Sequence, residues 1–154
     1  MSKGHYISVQ GVPAPQGSLR AINNPHTGKA MLIPGGDDAS RKRLDAWRKL
    51  VNRTALDSVA RSEYPLIEKG CPVFVAITFG MPRLKKHLKA DGAPRDDAPV
   101  YVASTPDIDK CVRAILDALT GVIYVDDKQV AALSVKQVYD LVPGVRIYVE
   151  EIEQ

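Results

Sequence analysis

Aspartates crowd into one short stretch of this chain. Five of its thirteen aspartates lie between Thr105 and Val130, and that stretch contains no glutamate. They are Asp107, Asp109, Asp117, Asp126 and Asp127. Hard divalent cations take oxygen ligands and keep open positions for water and phosphate, and short carboxylates fix such oxygens more rigidly than long ones. The stretch predicts a site in which three or four aspartates hold magnesium or manganese.

Two elements must position these carboxylates. Apolar residues at helical spacing predict a helix over about 108–119, and Pro106 is well tolerated at a helix start. Asp107 and Asp109 converge only if the chain is extended or just entering the helix there. Capping of free amides explains one of these two aspartates, but it does not explain Asp117 near the helix C-terminus. Asp126 and Asp127 follow a predicted strand, and adjacent aspartates standing alone often mark a turn.

Other kinds of site lack the residues that they need. A calcium loop counted from Asp107 would require glycine where Val112 stands and glutamate where Ala118 stands. No phosphate-binding loop of the G-x-x-x-x-G-K-[ST] kind is present. Cys71 and Cys111 lack zinc-ligand spacing, so we expect two buried free thiols. The three histidines are scattered, and each is expected at the surface or in a loop. They are His5, His26 and His87.

The charge is unevenly distributed along the chain. Residues 1–95 carry a net charge of +9 and residues 96–154 carry −6, which together give +3. A basic body around an acidic pocket suits a polyanion that must reach bound cations, although surface charge can also be uneven without any partner. A predicted loop after residue 80 is a candidate contact for backbone phosphates, and a solubilising loop is the alternative. Its cations are Arg83, Lys85, Lys86 and Lys89.

Hydrophobic periodicity predicts an α+β domain. The expected elements are an alternating strand in "HYISVQGVP", a β-hairpin around "NPHTG" and a helix from Ser40, as its N-cap, to about Arg61. A strand "PVFVAITFG", buried on both sides, precedes the loop. After the second helix come a short strand "VIYV" and the strands "KQVAALSVKQVY" and "VRIYVEEI". This order favours a mixed, largely antiparallel sheet with two main helices in one domain, residues 1–154.

Membrane spanning is not expected. No apolar run approaches the length that crosses a bilayer, and the N-terminal "MSKGHYISVQ" has neither an apolar signal core nor a cleavage pattern. We therefore expect a cytoplasmic protein.

The acidic stretch resembles a known family. "DIDKCVRAILDALTGVIYVDDKQV" is similar to the signature of the RusA family of Holliday junction resolvases, with its D-x-D, D-A-L-x-G and D-D-x-Q-V elements. "GVPAPQGSLRA", "WRKLV", "PVFVAITFG" and "VPGVRIYVEEI" resemble the same family in the same order, and particularly its phage-borne members. The resemblance covers nearly the whole chain.

The resemblance implies a metal-dependent endonuclease that acts as a homodimer on four-way DNA junctions. The essential carboxylates fall on Asp107, Asp109 and Asp127, with Asp126 as a possible accessory ligand. The family's catalytic lysine is matched by Arg113, which keeps the charge but cannot donate a proton near neutral pH. Ser18 replaces one of the basic residues expected after Gly17, so Arg20 is the remaining match.

These observations predict a magnesium-dependent junction endonuclease in which manganese can substitute. Arg113 and Lys128 would offset charge near the scissile phosphate, while Arg20 and the loop cations would contact flanking strands. Two alternatives stay open. One is a nonenzymatic protein that binds branched DNA, and the other is a nuclease that prefers flaps or other branched substrates.

Overall fold

The structure is a computed structural model that describes residues 3–17 and 19–154, with the backbone alone for Leu19, Arg20 and Pro34. Six strands and two α-helices form in the order β1, β2, β3, α1, β4, α2, β5, β6. Their bounds are β1 His5–Gln10, β2 Leu19–Asn23, β3 Ala30–Pro34, α1 Asp38–Ser62, β4 Val73–Pro82, α2 Ile108–Leu119, β5 Val130–Asp140 and β6 Gly144–Glu151. Short 3-10 turns occur at Lys85–His87 and Asp127–Gln129. The predicted α+β class with two main helices is confirmed.

The main sheet has four strands in the order β1-β6-β4-β5. β6 pairs antiparallel with both β1 and β4, whereas β4 and β5 are parallel. Strands β2 and β3 form a separate antiparallel hairpin, as predicted around "NPHTG". The sheet is therefore mixed and largely antiparallel, also as predicted.

Strand β4 is central but it is not buried on both sides as predicted. Val73, Val75 and Ile77 are buried, whereas Phe74 and Ala76 between them are only partly covered. Both helices contribute buried side chains to one continuous core, and the opposite face of the sheet carries no helix. A strand rich in β-branched and aromatic residues can thus still have one open face, because small and aromatic residues tolerate partial exposure.

The N-cap of helix α1 lies three residues before the predicted one. Its N-cap is Asp37, not Ser40, because the Asp37 carboxylate accepts a hydrogen bond from the Ser40 main-chain N–H at 2.7 Å. Asp is as good an N-cap as Ser. The helix buries Trp47, Val51 and Ala55 against the core, as its spacing predicted.

Helix α2 has the predicted bounds, and the apolar run after it differs from the prediction. Gly121 has φ +82°, which is the left-handed conformation expected just beyond the helix. Residues 122–125 then form a turn with isolated bridges, not a strand, and residues 122–124 of it are buried. The turn satisfies its polar groups locally, since the buried Tyr124 hydroxyl donates to the Leu116 carbonyl at 2.8 Å.

His5 and His87 are buried. The prediction of a surface or loop position was wrong for His5, which lies in β1, whereas His87 lies in the loop after β4. The His5 ring bonds the Ser58 hydroxyl at 2.8 Å and stacks on Tyr64. The His87 ring packs edge-on against Tyr139 with centroids 4.7 Å apart. Residues distant in the sequence, Ser58 and Tyr64 for His5 and Tyr139 for His87, contact these rings, and the local sequence does not reveal such neighbours. Among the two thiols, Cys111 is buried and Cys71 is partly exposed.

No helix in the part of the chain that the structure describes has the length and apolar character needed to cross a membrane.

Candidate active site

Asp107 and Asp109 open helix α2 together. Asp107 occupies the N-cap position, yet its side chain makes no capping hydrogen bond. Its carboxylate instead lies 3.2 Å from the Lys110 ammonium, and the Asp109 carboxylate lies 3.6 Å from the Arg113 guanidinium. Capping therefore does not explain the acidic residue at this position, and two exposed carboxylates, each with a cation beside it, remain available to a ligand.

A buried glutamine holds the segment that leads into these aspartates. The Gln137 side chain, 5% exposed, donates from Nε2 to the Pro106 carbonyl at 3.1 Å. Its own backbone carbonyl accepts from the Val102 N–H at 3.0 Å. Strand β5 thus fixes the start of α2 from two sides. Asp107 borders a groove of 580 Å³ in which Gln137 is also a lining residue.

Asp126 and Asp127 form a second acidic pair. The Asp126 carboxylate accepts from the Lys128 main-chain N–H at 3.0 Å, and this bond lowers the pKa of Asp126. Desolvation by burial, followed by the hydrogen bond with Asp126 and its charge, raises the pKa of Asp127. The two carboxyl groups are adjacent, so a proton or a cation between them would relieve their repulsion. Lys128 and Lys69 are the nearest cations.

A second buried glutamine fixes this pair. Gln129, 8% exposed, accepts at Oε1 from the main-chain N–H groups of Val125 and Asp126, each at 3.0 Å. Its Nε2 donates to the carbonyls of Glu68 at 2.7 Å and Cys71 at 3.0 Å. Every hydrogen-bonding position of the amide is used, which ties the acidic turn to the loop before β4.

Asp117 does not pair with Arg113, although two residues four apart on a helix lie within pairing distance. Its carboxylate lies 3.8 Å from the Arg48 guanidinium of α1, while Arg113 pairs with Asp109. Asp117 is also close enough to Asp127 to raise the pKa of that residue. Asp117 therefore belongs to the acidic end of α2 that faces α1.

The two aspartate pairs lie at opposite ends of α2. Ten residues separate Asp107 from Asp117, which is roughly 15 Å along a helix, and the charge of Asp117 contributes to the raised pKa of Asp127. No three His, Cys, Asp or Glu side chains among the described residues are arranged to hold one metal ion. The assignment of Asp107, Asp109 and Asp127 to one metal ion stays a prediction.

Each pair by itself suits magnesium. Protein sites for Mg²⁺ commonly use one or two carboxylates and complete the shell with water and substrate phosphates. Asp107 and Asp109 fit this donor set, since both carboxylates are exposed and neither is consumed by a cap. The metal roles of Asp107, Asp109, Asp126 and Asp127 stay predictions.

The cations of the predicted DNA-binding loop differ in availability. The Arg83 guanidinium donates to the Pro99 carbonyl at 2.8 Å and lies over the Tyr139 ring, so it holds the loop to β5. Lys89 lies 3.6 Å from Asp96. Lys85 and Lys86 are exposed and make no ion pair within the described residues. The Arg20 side chain falls outside the described part of the chain.

Sequence reasoning missed four residues that shape the site. They are Arg48, Lys110, Gln129 and Gln137. For Gln129 and Gln137, the sequence shows only a glutamine two positions after Asp127 and a glutamine within β5. Neither position reveals the backbone groups that the side chain bonds. Lys110, three residues after Asp107, is within helical pairing distance, so that pair was foreseeable.

Comparison with known proteins gives two matches. The family model for endodeoxyribonuclease RusA matches residues 26–150, which is most of the chain. A Bacillus subtilis protein, the uncharacterized protein YqaN, is 31% identical over 72 residues. That match covers 47% of this chain and 51% of YqaN, so the chain spans about half the length of this curated relative.

Proposed function

Because the chain belongs to the RusA endodeoxyribonuclease family, we propose that it cuts strands of four-way DNA junctions by hydrolysing phosphodiester bonds, with Mg²⁺ as cofactor and Mn²⁺ as a substitute. The observation that carries the proposal is the pair of exposed carboxylates at the start of α2, where the Asp107 side chain makes no capping hydrogen bond. Asp107 and Asp109 stand there with Lys110 and Arg113 beside them. Carboxylates and cations interleaved in this way suit a phosphate that arrives together with a metal ion.

Asp107 and Asp109 would hold the cation, which supplies charge stabilisation at the phosphate and lowers the pKa of a bound water. Arg113 keeps Asp109 oriented through their ion pair and adds positive charge where a scissile phosphate would lie. Lys110 has the same relation to Asp107. Arg113 acts through charge and hydrogen bonding, because a guanidinium does not release a proton near neutral pH.

Asp126 and Asp127 supply the second carboxylate pair in this proposal. Burial and the neighbouring charge make the ionised Asp127 costly, so a cation at this pair would be favourable. Lys128 flanks the pair and offsets charge on an approaching phosphate. Gln129 holds the turn rigid, so the pair needs no reorganisation when substrate arrives.

We further propose that the protein works as a homodimer. A four-way junction has approximate two-fold symmetry and needs two cuts, so a two-fold dimer with one site per subunit matches its target. Lys85 and Lys86, which have no partner among the described residues, are the best candidates for contacts with flanking backbone phosphates. Sedimentation at several protein concentrations measures the dimer directly, and a monomer at every concentration would contradict it.

The decisive experiment uses a synthetic four-way junction, a flap and a linear duplex of matched length, each with Mg²⁺, with Mn²⁺ and with chelator. We expect cleavage of the junction only when a divalent ion is present, and loss of that cleavage in Asp109→Asn. Stronger cleavage of the flap would shift the proposal to another branched substrate. Tight binding without cleavage under any divalent ion would show a nonenzymatic branched-DNA-binding protein.

A further inference from the structure

The face of the main sheet opposite the helices is open and combines aromatic rings with cations. Tyr6 of edge strand β1 is 76% exposed, and its ring lies 4.6 Å from the Tyr148 ring on β6. Phe74 of β4 approaches Tyr148 edge-on at 6.3 Å. An ordinary solvated sheet face displays polar side chains, so three clustered aromatic rings call for a specific explanation.

The strand register arranges this face in two neighbouring rows. Residues that are directly paired across the four strands form a row. One row contains the aromatic residues, and the row two residues away along each strand is polar and cationic. The aromatic row is Tyr6, Tyr148, Ala76 and Ser134, and the cationic row is Ser8, Arg146, Thr78 and Lys136. Residues from both rows line a groove of 550 Å³. The two tyrosine rings therefore lie in one row, and the two cations lie in the row next to it.

The acidic residues of this face are already engaged. The Glu150 carboxylate accepts a hydrogen bond from the Tyr148 hydroxyl at 2.6 Å, and the Tyr148 ring stays partly exposed beside the ring of Tyr6. Asp140 lies 3.7 Å from the Arg146 guanidinium. Lys136 has no ion-pair partner in the part of the chain that the structure describes. An anionic ligand would therefore meet one free cation and one weakly paired cation.

Lys136 also connects this face to the Asp107 site. Val135 and Lys136 line the 550 Å³ groove on the sheet and the 580 Å³ groove that contains Asp107. Arg146 in turn lines a smaller cavity of 180 Å³ beyond the cationic row. A strand of nucleic acid can therefore follow one track from Asp107 past Lys136 and onto the tyrosines.

From this arrangement we propose that the open sheet face binds an unpaired DNA strand, whose bases stack on Tyr6 and Tyr148 and whose phosphates contact Lys136 and Arg146. Stacking on aromatic rings accepts any base, because every base has a π face, and cations along the backbone supply the rest of the affinity. Unpaired bases are required, since a duplex hides those faces. The inference rests on the proposed action on DNA, and it adds a second contact surface that extends from the Asp107 groove.

The test is fluorescence anisotropy with a labelled 12-nucleotide oligothymidylate and with a blunt duplex of equal length, both in chelator. Tyr6→Ala should weaken oligothymidylate binding roughly tenfold, within the range seen for loss of one stacked base. Tyr6→Phe keeps the ring and should bind within about twofold of the parent. Lys136→Ala should flatten the slope of log affinity against log salt by about 0.7. The matched control is Lys29→Ala, an exposed cation on the hairpin outside the main sheet.

Three results would overturn the inference. One is unchanged oligothymidylate binding by Tyr6→Ala, and another is an equal loss in Lys29→Ala and Lys136→Ala, which would indicate unspecific charge. A Tyr6→Ala chain that binds normally but no longer dimerises would show that a second copy covers the face. If the parent protein cleaves junctions and Tyr6→Ala still binds oligothymidylate normally, this inference alone is refuted. Oligothymidylate binding without cleavage under any divalent ion would refute the proposed activity alone.

Discussion

The side chain of Gln129 holds the main chain of Asp126, because its Oε1 accepts a hydrogen bond from the Asp126 N–H at 3.0 Å. The same buried amide donates to the carbonyls of Glu68 and Cys71. One side chain thus fixes the second aspartate pair to the loop before β4.

Replacing this glutamine should cost both stability and activity. Gln129→Ala leaves buried backbone groups without partners, and we expect the free energy of unfolding to fall by roughly 2–4 kcal/mol. Gln129→Glu should be at least as costly, because a carboxylate cannot donate to the two carbonyls. Urea unfolding measures the loss, with the exposed Gln10→Ala as control. A Gln129→Ala protein as stable as its parent would contradict the tether.

Asp107→Asn and Asp109→Asn should abolish most junction cleavage while the fold is kept. Both carboxylates are exposed and Asp107 caps nothing, so stability should change by less than about 0.5 kcal/mol. A bound cation is worth several kcal/mol at the transition state, and cleavage should therefore slow by at least about a hundredfold. Single-turnover rates with Mg²⁺ are the measurement, and Asp57→Asn on the exposed side of α1 is the control. Full activity in Asp109→Asn would remove that residue from the proposed site.

Arg113 should be replaceable by lysine but not by alanine. Its guanidinium lies 3.6 Å from Asp109, and an ammonium at the same helical position can form the same pair. We expect Arg113→Lys to retain cleavage within about tenfold and Arg113→Ala to lose roughly a hundredfold, the usual range for a charge at a reacting phosphate. The comparison uses single-turnover rates under one set of conditions. Equal rates in the two variants would show that positive charge at this position is unimportant.

The loop cations should separate into DNA contacts and structural contacts. Lys85→Ala and Lys86→Ala should each reduce the slope of log affinity for duplex arms against log salt concentration by about 0.9, without loss of stability. Arg83→Ala removes the hydrogen bond to Pro99 and the contact with Tyr139, so it should lower the melting temperature. Binding titrations at several salt concentrations and thermal melts distinguish the two effects. The reverse pattern would place Arg83 on the DNA.

His5 should make the fold less stable in mild acid. Burial, helped by the charge of Lys3, lowers the pKa of His5 in the folded chain. The unfolded chain then binds a proton more readily than the folded one, so stability falls as pH drops through about 6.5. The free energy of unfolding, measured with urea, should differ less between pH 7.5 and pH 5.5 in His5→Asn than in the parent. The exposed His26→Asn serves as control, and an unchanged difference in His5→Asn would contradict this assignment.

The sequence by itself determined the two helices, the hairpin and the strands of the main sheet, and it identified the residues that could do chemistry. Helix periodicity located α2 to the residue, because its apolar stripe, Pro106 and Gly121 are all local signals. The hairpin around "NPHTG" and the mixed sheet were predictable for the same reason. The acidic stretch and the family resemblance likewise depend on order along the chain alone, and residues 26–150 match that family.

Only the tertiary structure decided which of these residues meet. Asp117 pairs with Arg48 and not with Arg113, because α1 packs beside α2 and supplies a partner from another element. Gln129 and Gln137 became tethers because residues distant in sequence bring carbonyl groups to them. The separation of the two aspartate pairs by the length of α2 has the same origin. So does the open face of β4. Long-range packing sets these distances and exposures, and residue order does not record them.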